Sequence, residues 1–110
     1  MARLLLMRKN SAAKQVELSG ERTLIGRSAS NDIQIDHPKV SRHHAELRVE
    51  DGAIWLIDLA SSNGTLVNDR FVKHKALQHG DMIRIGDCSI RFLTRHTNFE
   101  LPKDLALAAD

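Results

Sequence analysis

The chain has 110 residues, of which 42% are hydrophobic and 27% charged, and a formal net charge of +2. These proportions argue against disorder, and the length suits one domain that buries a core without help from metal or disulfide. The single cysteine, Cys88, rules out an internal disulfide, and no apolar stretch is long enough to cross a membrane as a helix.

The elements follow a period of two rather than 3.6. The opening Leu4-Leu5-Leu6-Met7 ends at Arg8-Lys9, too short for a secretion signal, and a reducing, cytoplasmic setting is expected. Gly20 sits at a loop position. An apolar strand ends at Gly26-Arg27-Ser28. Ile33-Gln34-Ile35 alternates, and a polar loop, Lys39-Val40-Ser41-Arg42-His43-His44, follows. Ala45 to Glu50 alternates strictly, which marks a strand with one buried face. Asp51-Gly52 turns the chain into Ala53–Leu59, apolar on both faces and therefore expected as a central strand. Ser61-Ser62-Asn63-Gly64-Thr65 forms the next loop, and Asn68-Asp69 the next hairpin. After Gly80, Met82–Ile85 and Cys88–Phe92 alternate on either side of Gly86-Asp87. Many short strands between frequent turns predict an antiparallel β-sandwich or barrel over residues 1–94. Residues 95–110 form a tail in which Leu101, Leu105 and the alanines predict a short helix from about Pro102, or a linker.

Three loops hold polar residues that strand alternation does not explain: Gly26 to Ser28, Lys39 to His44 and Ser61 to Thr65. They supply guanidinium, ammonium, hydroxyl and amide groups, and no carboxylate lies in any of them. A donor-rich set of this kind suits a dianionic phosphate, which offers only acceptors. In a sandwich, loops gather at the two ends, so convergence of the three is expected.

Gly26-Arg27, Ser41-Arg42-His43-His44, Ser62-Asn63-Gly64-Thr65 and Val67-Asn68, in this order and spacing, resemble the motif set of forkhead-associated (FHA) domains over roughly Leu4 to Leu93. The resemblance implies an all-β, eleven-stranded antiparallel sandwich whose binding loops at one end grip phosphothreonine in an extended peptide. It implies that Arg27 binds phosphate, that Ser41 and Ser62 contribute hydroxyls, and that Asn63 holds the peptide backbone just past the phosphothreonine. Arg42 is implied as a further phosphate or peptide contact. Gly26, His44, Gly64 and Asn68 are implied to shape loops. Lys39 stands where relatives often carry Arg, which keeps the charge but loses the planar fork. The implied partner is a phosphothreonine protein and, indirectly, a Ser/Thr kinase.

Other functions fit less well. His37, His43, His44 and Cys88 match no zinc spacing, and neither a metal nor a cofactor is expected. Ser41, His44 and Asp58 lack the nucleophile elbow of a hydrolase, so no enzyme is expected. Aromatics are only 4% and the basic residues are interleaved with acids, which argues against nucleic acid. A phosphate-independent interaction module on the same fold is the alternative. Thr97, with Glu100 three positions later, is a candidate for phosphorylation in the tail.

Overall fold

Alternation and turn chemistry together produce the strand order of the computed structural model, which describes residues 2–94. The tail from 95 to 110, with its expected helix and Thr97, lies outside the described residues. Eleven strands succeed one another: β1 (Ala2–Arg8), β2 (Lys14–Glu17), β3 (Arg22–Gly26), β4 (Ile33–Gln34), β5 (Ala45–Glu50), β6 (Ala53–Asp58), β7 (Thr65–Val67), β8 (Arg70–Val72), β9 (His74–Ala76), β10 (Met82–Ile85) and β11 (Cys88–Thr94). They form a six-stranded sheet, β2-β1-β11-β10-β7-β8, and a five-stranded sheet, β4-β3-β5-β6-β9.

The core lies between the sheets. Leu4, Ile83, Ile85, Ile90 and Phe92 from one sheet meet Ile25 and Leu56 from the other, all with essentially no exposure. Burying each such side chain contributes roughly 1.5–3 kcal/mol. Phe92 is the one Phe, Trp or Tyr in this core among the described residues, and Ile and Leu, with Val40, Val67, Ala2, Ala45 and Cys88, fill the rest.

Three hairpins follow from local chemistry. Asp51-Gly52 and Asn68-Asp69 both hold positive φ at their two central residues, 53° and 77° in the first and 50° and 69° in the second. That is the geometry of type I′ turns, which suit the twist of paired strands. Gly86, φ 61°, leads the two-residue turn from β10 to β11.

Departures from simple alternation have identifiable causes. β3 and β4 pair in parallel, Ile25 with Ile33 and Gly26 with Gln34, so the five-stranded sheet is mixed rather than wholly antiparallel. In β5, Glu46 is 3% exposed whereas Val49 is 44% exposed. Glu46 points away from the core, but Arg22 and Arg48 each bring Nε to 3.1 Å from its Oε2 and cover it. β6 lies one place in from the sheet edge, between β5 and β9, rather than at the centre. Its second apolar face is the outer one, where the Trp55 ring packs 4.6 Å from that of His74.

The loops after β3, β4, β6 and β10 share one end of the sandwich, because Ile25 pairs with Ala45 and Ala45 with Asp58. At the other end, Ala2 pairs with Thr94.

Candidate functional site

The site is built from loop backbone that continues the sheet. Gly26 closes β3 where no side chain fits: a Cβ there would collide with the Arg42 carbonyl oxygen and lie 2.8 Å from Asn31 Nδ2. Beyond it, Arg27 N–H donates to Ser41 O at 2.9 Å and Ser28 N–H to Arg42 O at 3.2 Å, zipping the first loop to the second. Arg27 Nε donates to Val40 O at 3.0 Å. That bond aims the guanidinium, and no described residue takes up its two terminal amino groups.

His44 is fully buried and fixes the other side of the site. Its Nδ1 accepts from Ser41 N–H at 3.1 Å and its Nε2 faces Gly64 O at 2.9 Å. The amide can only donate and the carbonyl can only accept, so the ring is the Nε2–H tautomer. His44 thus ties the Ser41 loop to the Ser62-Asn63-Gly64 loop. Two further bonds tie the same loops: Ser62 N–H donates to Ser41 Oγ at 3.0 Å, and Asn63 Nδ2 to Lys39 O at 2.9 Å. With its oxygen accepting from Ser62, the Ser41 hydroxyl proton is left for an incoming acceptor. Asn63 Oδ1 has no bond from the described residues.

Asp58 anchors the third loop from beneath. Its carboxylate accepts from Ser61 Oγ at 2.6 Å, Thr65 Oγ1 at 2.7 Å and Ser61 N–H at 3.0 Å. Ser61 Oγ in turn accepts from Gly64 N–H at 3.0 Å. Burial alone would raise the Asp58 pKa. The hydroxyl and amide bonds outweigh it and hold the carboxyl below its ordinary value.

Arg27, Lys39, Ser41, Ser62 and Asn63 therefore meet in one cleft of about 90 Å3, completed by Pro38 and Val40. No carboxylate lines it. Arg42 stands apart from this cleft, in an adjoining depression that it shares with Arg27, Ser28 and Asp36. Gly64, φ 89°, has its Cα side packed by Phe71, whose ring would lie 2.7 Å from an added Cβ. Asn68 shapes a loop, but at the opposite end of the sandwich: its amide bonds Asp81 Oδ1 and Met82 N–H, both at 3.0 Å. A larger concavity of about 490 Å3 lies along the side, between β1, β2 and β4, and mixes Asp32 with Arg8 and Lys14.

Asn31 was not singled out from sequence. It is 8% exposed; its Nδ2 donates to Ser28 O at 2.8 Å and Arg42 O at 2.7 Å, and its Oδ1 lies 3.2 Å from His43 Nδ1. Its only sequence signal is an amide in an irregular segment just before an alternating run. Asp58 had a stronger one, an acid directly ahead of a Ser-rich turn, which is a common turn anchor. The combination of Ser41, His44 and Asp58 as a catalytic triad is absent, since His44 Nδ1 is taken by the Ser41 amide and Asp58 bonds Ser61 and Thr65.

A family profile described as the FHA domain matches residues 23–86. The chain belongs to the FHA domain family. The FHA chain is 39% identical over 93 residues to the glycogen accumulation regulator GarA of Mycolicibacterium smegmatis, covering 84% of this chain and 59% of that protein. It is 38% identical over 92 residues to the oxoglutarate dehydrogenase inhibitor of Corynebacterium efficiens, covering 84% of this chain and 65% of that one. The chain thus spans about three-fifths of the length of these relatives. A structure solved in an analysis of phosphothreonine-dependent FHA domain interactions superposes with a TM-score of 0.76 at 29% identity, covering 86% of this chain and 99% of that one. The eleven-stranded FHA sandwich expected from the motifs is the fold observed.

Proposed function

We propose that this FHA domain is a non-catalytic regulatory module that binds phosphothreonine segments of partner proteins in the cleft formed by Arg27, Lys39, Ser41, Ser62 and Asn63. The observation that carries the reading is the convergence of these donors in a carboxylate-free cleft, with the Arg27 amino groups and the Ser41 hydroxyl proton uncommitted among the described residues. A phosphate dianion accepts several charge-assisted hydrogen bonds, each contributing roughly 1.5–3 kcal/mol. Arg42, from the adjoining depression, serves the flanking peptide backbone or an outer phosphate oxygen. Relatives that are a regulator and an inhibitor support a binding role, and Ser41 has no base at its hydroxyl. The kinase that makes the phosphothreonine is an indirect partner, and the reduced, buried Cys88 suits the cytoplasm. No helix among the described residues is long and apolar enough to cross a membrane.

The test is calorimetric titration of a phosphothreonine peptide and its unphosphorylated twin. Binding of the first alone is expected; equal binding of both would reject the reading.

A further inference from the structure

The solvent side of a one-face-buried antiparallel sheet is ordinarily polar. Here it is not. Inward positions such as Leu4, Leu6, Ile83, Ile90 and Phe92 leave their neighbours facing outward, and the register arranges those neighbours in rows across the six-stranded sheet. The row nearest the binding loops runs Met7, Ser89, Arg84, Leu66, Phe71. The next runs Gln15, Leu5, Arg91, Met82, and the last Glu17, Arg3, Leu93. Six of these side chains are apolar, three are arginine, and Glu17 is the single acid. Phe71 is 73% exposed. On the other sheet the outer groups partner one another, Glu46 between two arginines and Trp55 against His74.

This face is continuous with the cleft. Phe71, Leu66 and Arg84 line a shallow hollow of about 240 Å3 together with Lys39 and Asn63, which also line the cleft. A chain leaving the cleft over Asn63 meets an apolar surface studded with arginine. Phe71 is exposed and Leu5, Met7, Leu66, Met82 and Leu93 are partly exposed around it, and clustered apolar surface rimmed by charge marks interaction sites.

We propose that the outer face of the six-stranded sheet is a second docking surface, for an acidic and apolar segment that flanks the phosphothreonine on the side leaving the cleft over Asn63. The proposal rests on the phosphothreonine reading of the cleft. Charge selects the occupant: an acidic flank pairs with the exposed Arg84, with Arg91 held nearby by its Nη1 bond to Gly80 O at 2.9 Å, whereas a second copy of this face would set arginine against arginine. Reach is sufficient. The face spans about 19 Å from β8 to β1 at roughly 4.8 Å per strand, and ten extended residues cover about 33 Å.

The experiment compares a short phosphothreonine core peptide with versions carrying a ten-residue flank of alternating Glu and Leu, on either side, and with Gln-Ser flanks of equal length. An acidic-apolar flank on one side is expected to tighten binding about tenfold or more, as a tethered second contact does. The Gln-Ser flank should add nothing. Arg84→Glu, and separately Leu5→Gln with Met82→Gln, should return the long peptide to the core value while the core peptide binds as before. Both changes are at partly or fully exposed positions, and thermal melts verify folding. If the core binds and neither flank adds affinity, or the gain survives both variants, this proposal is overturned. So too if the free protein self-associates through this face, with Arg84→Glu dissolving the oligomer. If the phosphorylated core binds no better than its unphosphorylated twin, the functional reading falls and the proposal with it.

Discussion

Ser62 donates its backbone N–H to Ser41 Oγ at 3.0 Å, across 21 positions of sequence. The bond orients one hydroxyl by means of another residue's main chain, so the Ser62 side chain stays available while the Ser41 proton points outward. Ser41→Ala removes both the hydroxyl and the acceptor that positions Ser62. Peptide affinity is expected to drop about tenfold or more, with a shift in melting temperature of only a few degrees because Ser41 is partly exposed. Unchanged affinity would take Ser41 out of the site.

Arg27→Ala is expected to weaken phosphothreonine binding by at least about tenfold, through loss of one or two charge-assisted bonds. The fold should hold, since the side chain is exposed and its one bond is to the Val40 carbonyl. Arg27→Lys should recover only part of the affinity, because Lys lacks the planar fork. Titration calorimetry on all three proteins decides; equal affinities would place the phosphate elsewhere.

His44→Ala acts on stability first. It strands the partly buried Ser41 amide and Gly64 carbonyl, together at a cost of roughly 2 kcal/mol or more. For a domain this size that corresponds to a fall in melting temperature of about 10 °C or more. Peptide binding should weaken as the two loops part. A mutant that melts like the wild type yet binds nothing would mean that His44 contacts the ligand.

Gly26→Ala is expected to be more damaging than a glycine change at a loop tip, because the added Cβ meets the backbone of Arg42 rather than a movable side chain. Gly20→Ala offers the contrast. There nothing stands within 4 Å, although φ is 79°, so only the local backbone strain is felt. Chemical denaturation should rank the two, with Gly26→Ala the less stable; the reverse order would contradict the packing described.

Asp58 links loop three to pH. Its carboxyl titrates below its ordinary value in the folded chain, so its ionised form favours folding. The contribution is complete above the unfolded carboxylate pKa and is lost as pH falls through the lower folded value. Asp58→Asn lacks it and places donors against the hydroxyls of Ser61 and Thr65. Denaturation from pH 7 down to about pH 3 should therefore show the stability gap between wild type and variant narrowing. A gap that stays constant would mean that the carboxylate charge contributes nothing.

Much of this was legible because local chemistry and pattern agree. Asp51-Gly52 and Asn68-Asp69 announce turns that few other residues make, and the runs ending in Ile85 and Phe92 alternate as they are buried. The donors of the cleft were legible as types, since a carboxylate-free set of loops is unusual. What stayed hidden depends on contacts between distant segments. Glu46 looks like a solvent-facing acid until Arg22, from another strand, covers it. The parallel pairing of Ile33 with Ile25 rests on a two-residue strand that no period can announce. Arg42 and Ser41 are neighbours in sequence, yet they face different depressions because the chain between Val40 and His44 is pinned by main-chain bonds that no motif displays.

Ala2 and Thr94 are cross-strand partners at the pole away from the binding loops. A domain whose two ends emerge side by side, facing away from its recognition surface, behaves as a cassette. Spliced into a host protein's loop, it would disturb the host by little more than one strand spacing of about 4.8 Å. Tethered to a sensor chip at Ala2 or Thr94, it would present its cleft away from the surface, so an affinity measured there should equal the affinity in solution.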